Sequence, residues 1–559
     1  MIENDLINDY FTLFYMAYMT PGTRPQVSGK LPANRKTTPY IFGKHDEPVN
    51  IGYITERGTG MEPNMVNPHE KPVAIQPVRR KQYSAVLFIF LLLIMGWLGA
   101  YVYFKAETNR FSNLLEQGEY SEAIDYYRHA AGFLPGGSEK WLKGRFEGAL
   151  DVRLEEMVED YLSNRADYSE LSSCLKAVSQ MSLAPAHLKK YQALVEAEHA
   201  SRFSDEHRAI SIVEKALEDY PGDALLEAQL ARYRKRAAEL VLYEGPVQHI
   251  FFHPLIVYPE KAFDDDRMAR GLNEFMVTVR EFNRILASLY EKGYILIDIH
   301  EIFEERTNNG RTELVRKELW LPKNRKPLIL SIDDLNFYPY MKENGMNQKL
   351  VLDSDGNVAA YLISPEGEEI TAYDTEIVTI LDRFVAEHPD FSYKGAKGII
   401  ALTGFNGVLG YQTNAISSPS YAAEKEQALA VIMRLQETGW SFASHGYGHI
   451  DTARRSLSDL IEDTEKWKVE VESLIGPTDV YIYPYGSTVP TTDPRFKYLQ
   501  QSGFRVFCGV GPREYLRYYP DSLVMDRRHI DGIAFWQQPE TLVDLFTVSE
   551  VIDPVRPPL

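Results

Sequence analysis

The chain has 559 residues, too many for one ordinary domain, and predicts about three or four segments. Its formal net charge of −19 argues against a nucleic-acid partner, which needs a basic face to track phosphates. Its two cysteines, Cys174 and Cys508, lie far apart, so neither a disulfide framework nor a cysteine metal site is expected.

Residues 1 to 82 are rich in Pro, Gly and Asn with little periodicity, and read as a mostly disordered cytoplasmic tail. The exception is YFTLFYMAYM at 10–19, an apolar patch suited to a membrane or a partner, or a short fluctuating helix. From Tyr83 to Phe104 (YSAVLFIFLLLIMGWLGAYVYF) no residue is charged, and a helix of that length crosses roughly 30 Å of hydrocarbon. Arg79, Arg80 and Lys81 precede the run, whereas Lys105, Glu107 and Arg110 follow it. The positive-inside rule then places the N-terminus in the cytoplasm and everything after about residue 105 outside, a single-pass protein of the cell membrane. A cleaved signal peptide would carry its apolar run near the start, not after about eighty residues.

Residues 105–245 have few Pro or Gly breaks and a helical apolar period, as in Ala123, Tyr126, Tyr127 and Ala130. Within them LLEQGEYSEAIDYYRHA (114–130) resembles one tetratricopeptide unit, with Gly118 at the close contact, Tyr120 and Ala123 on the first helix face and Tyr127 in the seam. ADYSELSSCLKAV (166–178) is a fainter echo. Such units bury their apolar faces only by stacking. The resemblance implies an arm that binds a protein partner; a helical stalk holding the next domain off the membrane accounts for the same residues.

From residue 246 to 559 strand-like runs (HIFFHPLIVY, YILIDI, PLILSI, GIIALT, VYIYPY, FRVFCGV) alternate with amphipathic helical stretches such as 274–291 and 420–438. This predicts an α/β domain on a mainly parallel sheet, open or closed into a barrel, with its chemistry at the carboxyl ends of the strands. Asp333 and Asp334 stand at one such end, in SIDDLNFY. In the loop past a strand both carboxylates can face one site, one as metal ligand and one as base, although an Asp pair capping the next helix reads the same alone. At another strand end, WSFASHGYGHID places His445 and His449 four apart with Gly446, Tyr447 and Gly448 between them. Two glycines in a helix would cost about 1 kcal/mol each, so the pair is expected on a tight loop rather than on a helix face. Two imidazoles and a carboxylate form a donor set that leaves coordination positions open, as catalytic metal sites do. Zinc is the first choice, and the ligand types also admit cobalt, nickel, manganese or iron.

SIDDLNFY, SHGYGHID and YIYPYGS, in this order, resemble the first three motifs of the polysaccharide deacetylase (NodB-homology) family of carbohydrate esterases. FFHPLI and MVTVREFNRILASLYEKGYILIDIHEIF extend the likeness upstream, so that it covers about 248–532. The resemblance implies a distorted barrel of parallel strands with fewer than eight repeats and hydrolysis of acetamides on an N-acetylated sugar polymer. It implies Asp334, His445 and His449 as the metal triad and Asp333 as the general base. The backbone N–H of Tyr485 would bind the oxyanion, and Tyr483 and Pro484 would line the sugar groove.

The sequence also departs from the family pattern. Leu335 stands where many members have Gly, Gly446 where a Ser or Thr braces the second motif, and Ile482 where an arginine orients the base. MDRRHIDG (525–532) is the late cluster with suitable groups: Arg527 or Arg528 would replace the arginine, and His529 would be the acid; a salt-bridged strand end is the other reading. Two further readings stay open, a catalytically inactive sugar-binding scaffold and a deacetylase of a different amide. Between the Asp pair and the His pair, KLVLDSDGNVAAYL (349–362) predicts a hairpin beside the mouth of the site.

Overall fold

The computed structural model describes residues 80–130, 138–179, 187–308 and 310–559. The tail expected over 1–82, with its apolar patch at 10–19, lies almost wholly outside them. The chain divides into two compact units, Met1–Lys105 and Ala106–Leu559. The uncharged run falls within the helix Arg80–Glu116, which among the described residues is the one long and apolar enough to cross a membrane. Its side chains from Leu87 to Met95 are exposed.

In the second unit six further helices precede the first barrel strand: Tyr120–Ala130, Ser138–Leu162, Tyr168–Ser179, Leu188–Arg202, Glu206–Asp219 and Ala224–Glu239. Gly118 turns the chain into the first of them with φ +75°, a value that an L side chain resists. Ala123 and Tyr127 are buried, and Phe111 and Phe146 stack beside them at 4.6 Å. Both cysteines are buried and unpaired. The helical layer is joined to the barrel region: Phe203 packs on the barrel core, and its carbonyl accepts from the Lys394 N–H at 2.7 Å.

Seven parallel strands among the described residues close into a barrel, running in chain order around it: β1 Gln248–Phe252, β2 Lys326–Asp333, β3 Ile399–Leu402, β4 Ser441–Ser444, β5 Val480–Ile482, β6 Val506–Val510 and β7 Ser522–His529. β7 returns to β1 through Arg528 opposite Ile250, and β2 meets β3 through Asp333 opposite Ala401. A shorter strand, Tyr294–Leu296, pairs with the start of β2 on the edge that β3 takes further on.

Strand alternation sorts the side chains. In β2, Ile329, Ser331 and Asp333 share the lumen face, whereas Leu328, Leu330 and Ile332 join the layer under the helices. The lumen is apolar at its amino end (Ile329, Ile399, Val480, Val506, Leu523) and polar at its carboxyl end, where Ser331 and Asp333 stand. Phe303 and Leu314, from the hairpin Phe303–Asn308 and Arg311–Arg316, join the same apolar cluster.

The expected hairpin is a three-stranded meander, Lys349–Leu352, Val358–Ile363 and Glu369–Ala372. Its first turn is held by Asp353, whose Oδ1 accepts from the N–H groups of Asp355 and Asn357. The meander sits against the loop that leaves β3: the Leu350 N–H donates to the Leu409 carbonyl at 3.2 Å, and the Tyr411 hydroxyl donates to the Leu350 carbonyl at 2.8 Å.

Candidate metal centre

The carboxyl end of the lumen gathers residues distant in sequence. Past the end of β2 the backbone turns at Asp334 with φ 59°, and the Asp334 N–H donates to the Ala401 carbonyl. That left-handed turn swings Asp334 to the same side as Asp333, which the extended strand alone would not do. Past β4, His445 keeps the lumen parity of Ala443, Gly446 turns at φ +67° and His449 at φ 51°. Tyr485, past β5, also lies in the left-handed region, at φ 59°. Non-glycine residues in this region cluster where the surrounding structure overrides their cost, of order 1–3 kcal/mol each.

One ligand atom from each of Asp334, His445 and His449 lies within 4.8 Å of the other two. The imidazole rings of His445 and His449 are 4.9 Å apart. His445 Nδ1 is 2.9 Å from the Ile482 carbonyl, which fixes the Nδ1–H tautomer and leaves Nε2 as a ligand. His449 Nε2 lies 3.6 Å from Asp334 Oδ2. Burial lowers both imidazoles, His445 to about 4 and His449 to about 3, so both are in the neutral form that binds a cation. Burial raises the Asp334 carboxyl, and the Tyr338 hydroxyl donates to it at 2.6 Å. Two neutral imidazoles and a carboxylate, buried together with coordination positions left over, fit a divalent metal.

Asp333 has a different environment. Burial alone would raise it, but Arg527 holds it at about 2 through bonds from Nη1 to Oδ1 at 2.6 Å and from Nη2 to Oδ2 at 2.9 Å. Its Oδ2 stands 3.8 Å from His445 Nε2, outside hydrogen-bond range. Arg527 is anchored in turn by Ser331 Oγ at 3.1 Å, which also meets His249 Nε2 at 3.1 Å, and its guanidinium lies 4.1 Å over the Phe251 ring.

Of the two arginines expected to replace the one absent at Ile482, the structure brings Arg527 to Asp333. Arg528, of opposite parity on β7, points outward to Asp544, Gln248 and the Thr541 carbonyl. His529 shares the parity of Arg527; its Nδ1 lies 2.8 Å from Asp531 and its Nε2 3.4 Å from Gln538. Burial would lower the His529 imidazole, but Asp531 raises it. Tyr483 departs from the expected groove. Because Val480 and Ile482 face the lumen, Tyr481 and Tyr483 face the helix layer, where Tyr483 is 1% exposed and packs 5.1 Å from the Tyr481 ring. Pro484 is buried as well, and Tyr485 alone of the three is partly exposed, its ring 4.4 Å from His449.

Three contributors are absent from the sequence-based expectations. His253 continues the alternation of His249 and Phe251 past the carboxyl end of β1, and its Nδ1 lies 3.0 Å from the Phe275 carbonyl. The period of two in HIFFH is the signal that could have found it. Tyr338 and Thr403 touch through their hydroxyls at 2.6 Å, tying the Asp334 loop to the β3 loop, and no local pattern marks either.

No family model and no curated protein matches the chain. Two solved structures are similar to it. One is the Streptococcus pyogenes deacetylase PplD in complex with acetate, at 12% identity over 54% of this chain and 98% of that one, TM-score 0.32. The other is a Mycobacterium smegmatis protein provisionally assigned as a polysaccharide deacetylase, at 15% identity over 27% of this chain and 44% of that one, TM-score 0.19.

Proposed function

We propose that this protein is a metal-dependent deacetylase that hydrolyses N-acetyl groups of a cell-wall or secreted polysaccharide. The observation that carries the reading is a division of labour between adjacent carboxylates. Asp334 converges with His445 and His449, while Asp333 is held ionised by Arg527 beside them. Asp334, His445 and His449 would hold a divalent metal, with zinc the first choice, which would supply Lewis acidity toward the amide carbonyl and the attacking water. Asp333 accepts the proton of that water as its oxygen bonds to the carbonyl carbon. The Tyr485 N–H donates to the carbonyl oxygen as it becomes negative. The C–N bond then breaks, acetate departs, and the amine takes a proton. We assign that donor to a histidine at the same rim, either His529, held by Asp531 and Gln538, or His253, which continues the alternation of β1 past its carboxyl end.

In this reading the helix Arg80–Glu116 anchors the protein in the cell membrane with the N-terminus cytoplasmic and the barrel outside, as the flanking cations Arg79, Arg80 and Lys81 favour. The helical layer holds the barrel off the membrane and offers a face to a protein partner. Release of acetate from N-acetylglucosamine oligomers, abolished by a chelator and restored by zinc, tests the proposal. Oligomer binding without acetate release would instead identify a sugar-binding scaffold.

A further inference from the structure

The loop that carries both histidines has only Gly446, Tyr447 and Gly448 between them, and at its start Ser444 Oγ accepts from the Gly446 N–H at 3.3 Å. Two shorter holds on the loop come from a separate helix. Asp463, on Leu457–Trp467, turns its carboxylate into the loop: Oδ2 accepts from the Tyr447 N–H at 2.7 Å and Oδ1 from the Gly448 N–H at 2.7 Å. The carboxylate is buried and fills the space a side chain would need. A Cβ at Gly446 would stand 2.9 Å from Oδ2, and one at Gly448 3.3 Å from Oδ1.

The same helix grips the loop a second time. Beyond Trp467 it widens into a π turn, Lys468–Glu472, which brings Glu470 Oε2 within 2.7 Å of the Tyr447 hydroxyl. Trp467 Nε1 donates to the Leu402 carbonyl at 2.8 Å, tying the helix to the end of β3. The helix is thus registered against the barrel, and the loop against the helix.

We propose that Asp463 is a positioning residue of the metal centre, its carboxylate holding the Tyr447 and Gly448 amides so that His445 and His449 converge before any cation binds. Glycine at 446 follows from this, because the brace occupies the volume that a serine or threonine would take. The proposal rests on the metal reading of the triad and needs no particular substrate.

The test is zinc affinity, measured by competition with a chromophoric chelator on the full chain in detergent. Asp463→Asn keeps the shape of the side chain but can accept from only one of the two amides. It is expected to weaken zinc binding about 10- to 100-fold, the usual cost of losing a group that orients a ligand, while the zinc-free protein melts as the wild type does. Affinity within twofold of wild type overturns the proposal. Glu470→Gln, which leaves both amide bonds in place, is expected to bind zinc within about threefold of wild type; a loss as large as that of Asp463→Asn would place the hold at the Tyr447 hydroxyl and overturn the assignment. Hydrogen exchange on the zinc-free wild type is independent of whether a variant folds. The Tyr447 and Gly448 amides are expected to be protected, and immediate exchange overturns a preformed loop. A wild type that binds no zinc overturns the metal reading itself, an outcome distinct from equal binding by wild type and Asp463→Asn.

Discussion

Arg527 and Asp333, 194 residues apart in the chain, meet across the barrel lumen in a two-point contact of 2.6 and 2.9 Å, with side-chain exposures of only 1% and 4%. A lysine could satisfy the charge but not both oxygens. Arg527→Lys is therefore expected to retain bound zinc and to lower kcat for acetate release at least about tenfold, because Asp333 is left free to rotate. Arg527→Met leaves a buried carboxylate unpaired and is expected to cost about 3–5 kcal/mol in denaturant unfolding. A Met variant as stable as the wild type would show that Asp333 is not held ionised.

The two adjacent carboxylates are expected to separate under substitution. Asp333→Asn should keep its zinc by elemental analysis and lose about 10²- to 10⁴-fold in turnover, the range for removing a general base. His449→Ala should lose both. Loss of zinc from Asp333→Asn as complete as that from His449→Ala would make Asp333 a ligand and overturn the division between the two carboxylates.

Glu376 provides a pH test away from the site. It is fully buried and accepts from the Leu255 and Ile377 N–H groups and from Asn347, yet burial outweighs these donors and raises it from 4.5 to about 7. The unfolded chain releases this proton above about pH 4.5 and the folded chain holds it to about pH 7, so the contribution is present below 4.5 and lost as pH rises through 7. The loss is of order 3 kcal/mol across that window at about 1.36 kcal/mol per pH unit. Unfolding free energies of Glu376→Gln and wild type should diverge over that interval and run parallel above it; parallel curves throughout would refute the raised value.

The C-terminal segment is clamped by Arg556, which gives Glu281 two hydrogen bonds of 2.7 and 2.6 Å with both side chains at 0% exposure. Arg556 also donates to Asn273 Oδ1 and to the Asn273 and Met276 carbonyls. Arg556→Ala is expected to cost about 3–5 kcal/mol by stranding Glu281, and Glu281→Gln should recover part of that loss in the double variant. Purely additive effects would show that the pair is not coupled.

Much of this architecture was legible in the chain because it depends on short periods. The uncharged run from Tyr83 to Phe104, the strand–helix alternation after 246 and the four-residue spacing of His445 and His449 are local patterns, and a parallel sheet places whatever ends its strands at one rim. The order of the Asp, His and YPYG motifs carries their order around the barrel, since the strands close in sequence.

What only the tertiary structure decided depends on register and closure. Alternation alone puts Arg527 and Arg528 on opposite faces, but only the pairing of β7 with β1 selects Arg527 for the lumen. The same alternation turned Tyr483 from the expected groove into the core, because Ile482 had taken the lumen side. Tyr338 on Asp334 and Asp463 on the histidine loop have no periodic signature at all. Their positions follow from left-handed turns and a helix seated on the barrel, and a hydrogen bond across such a gap exists only once the chain between its ends has folded.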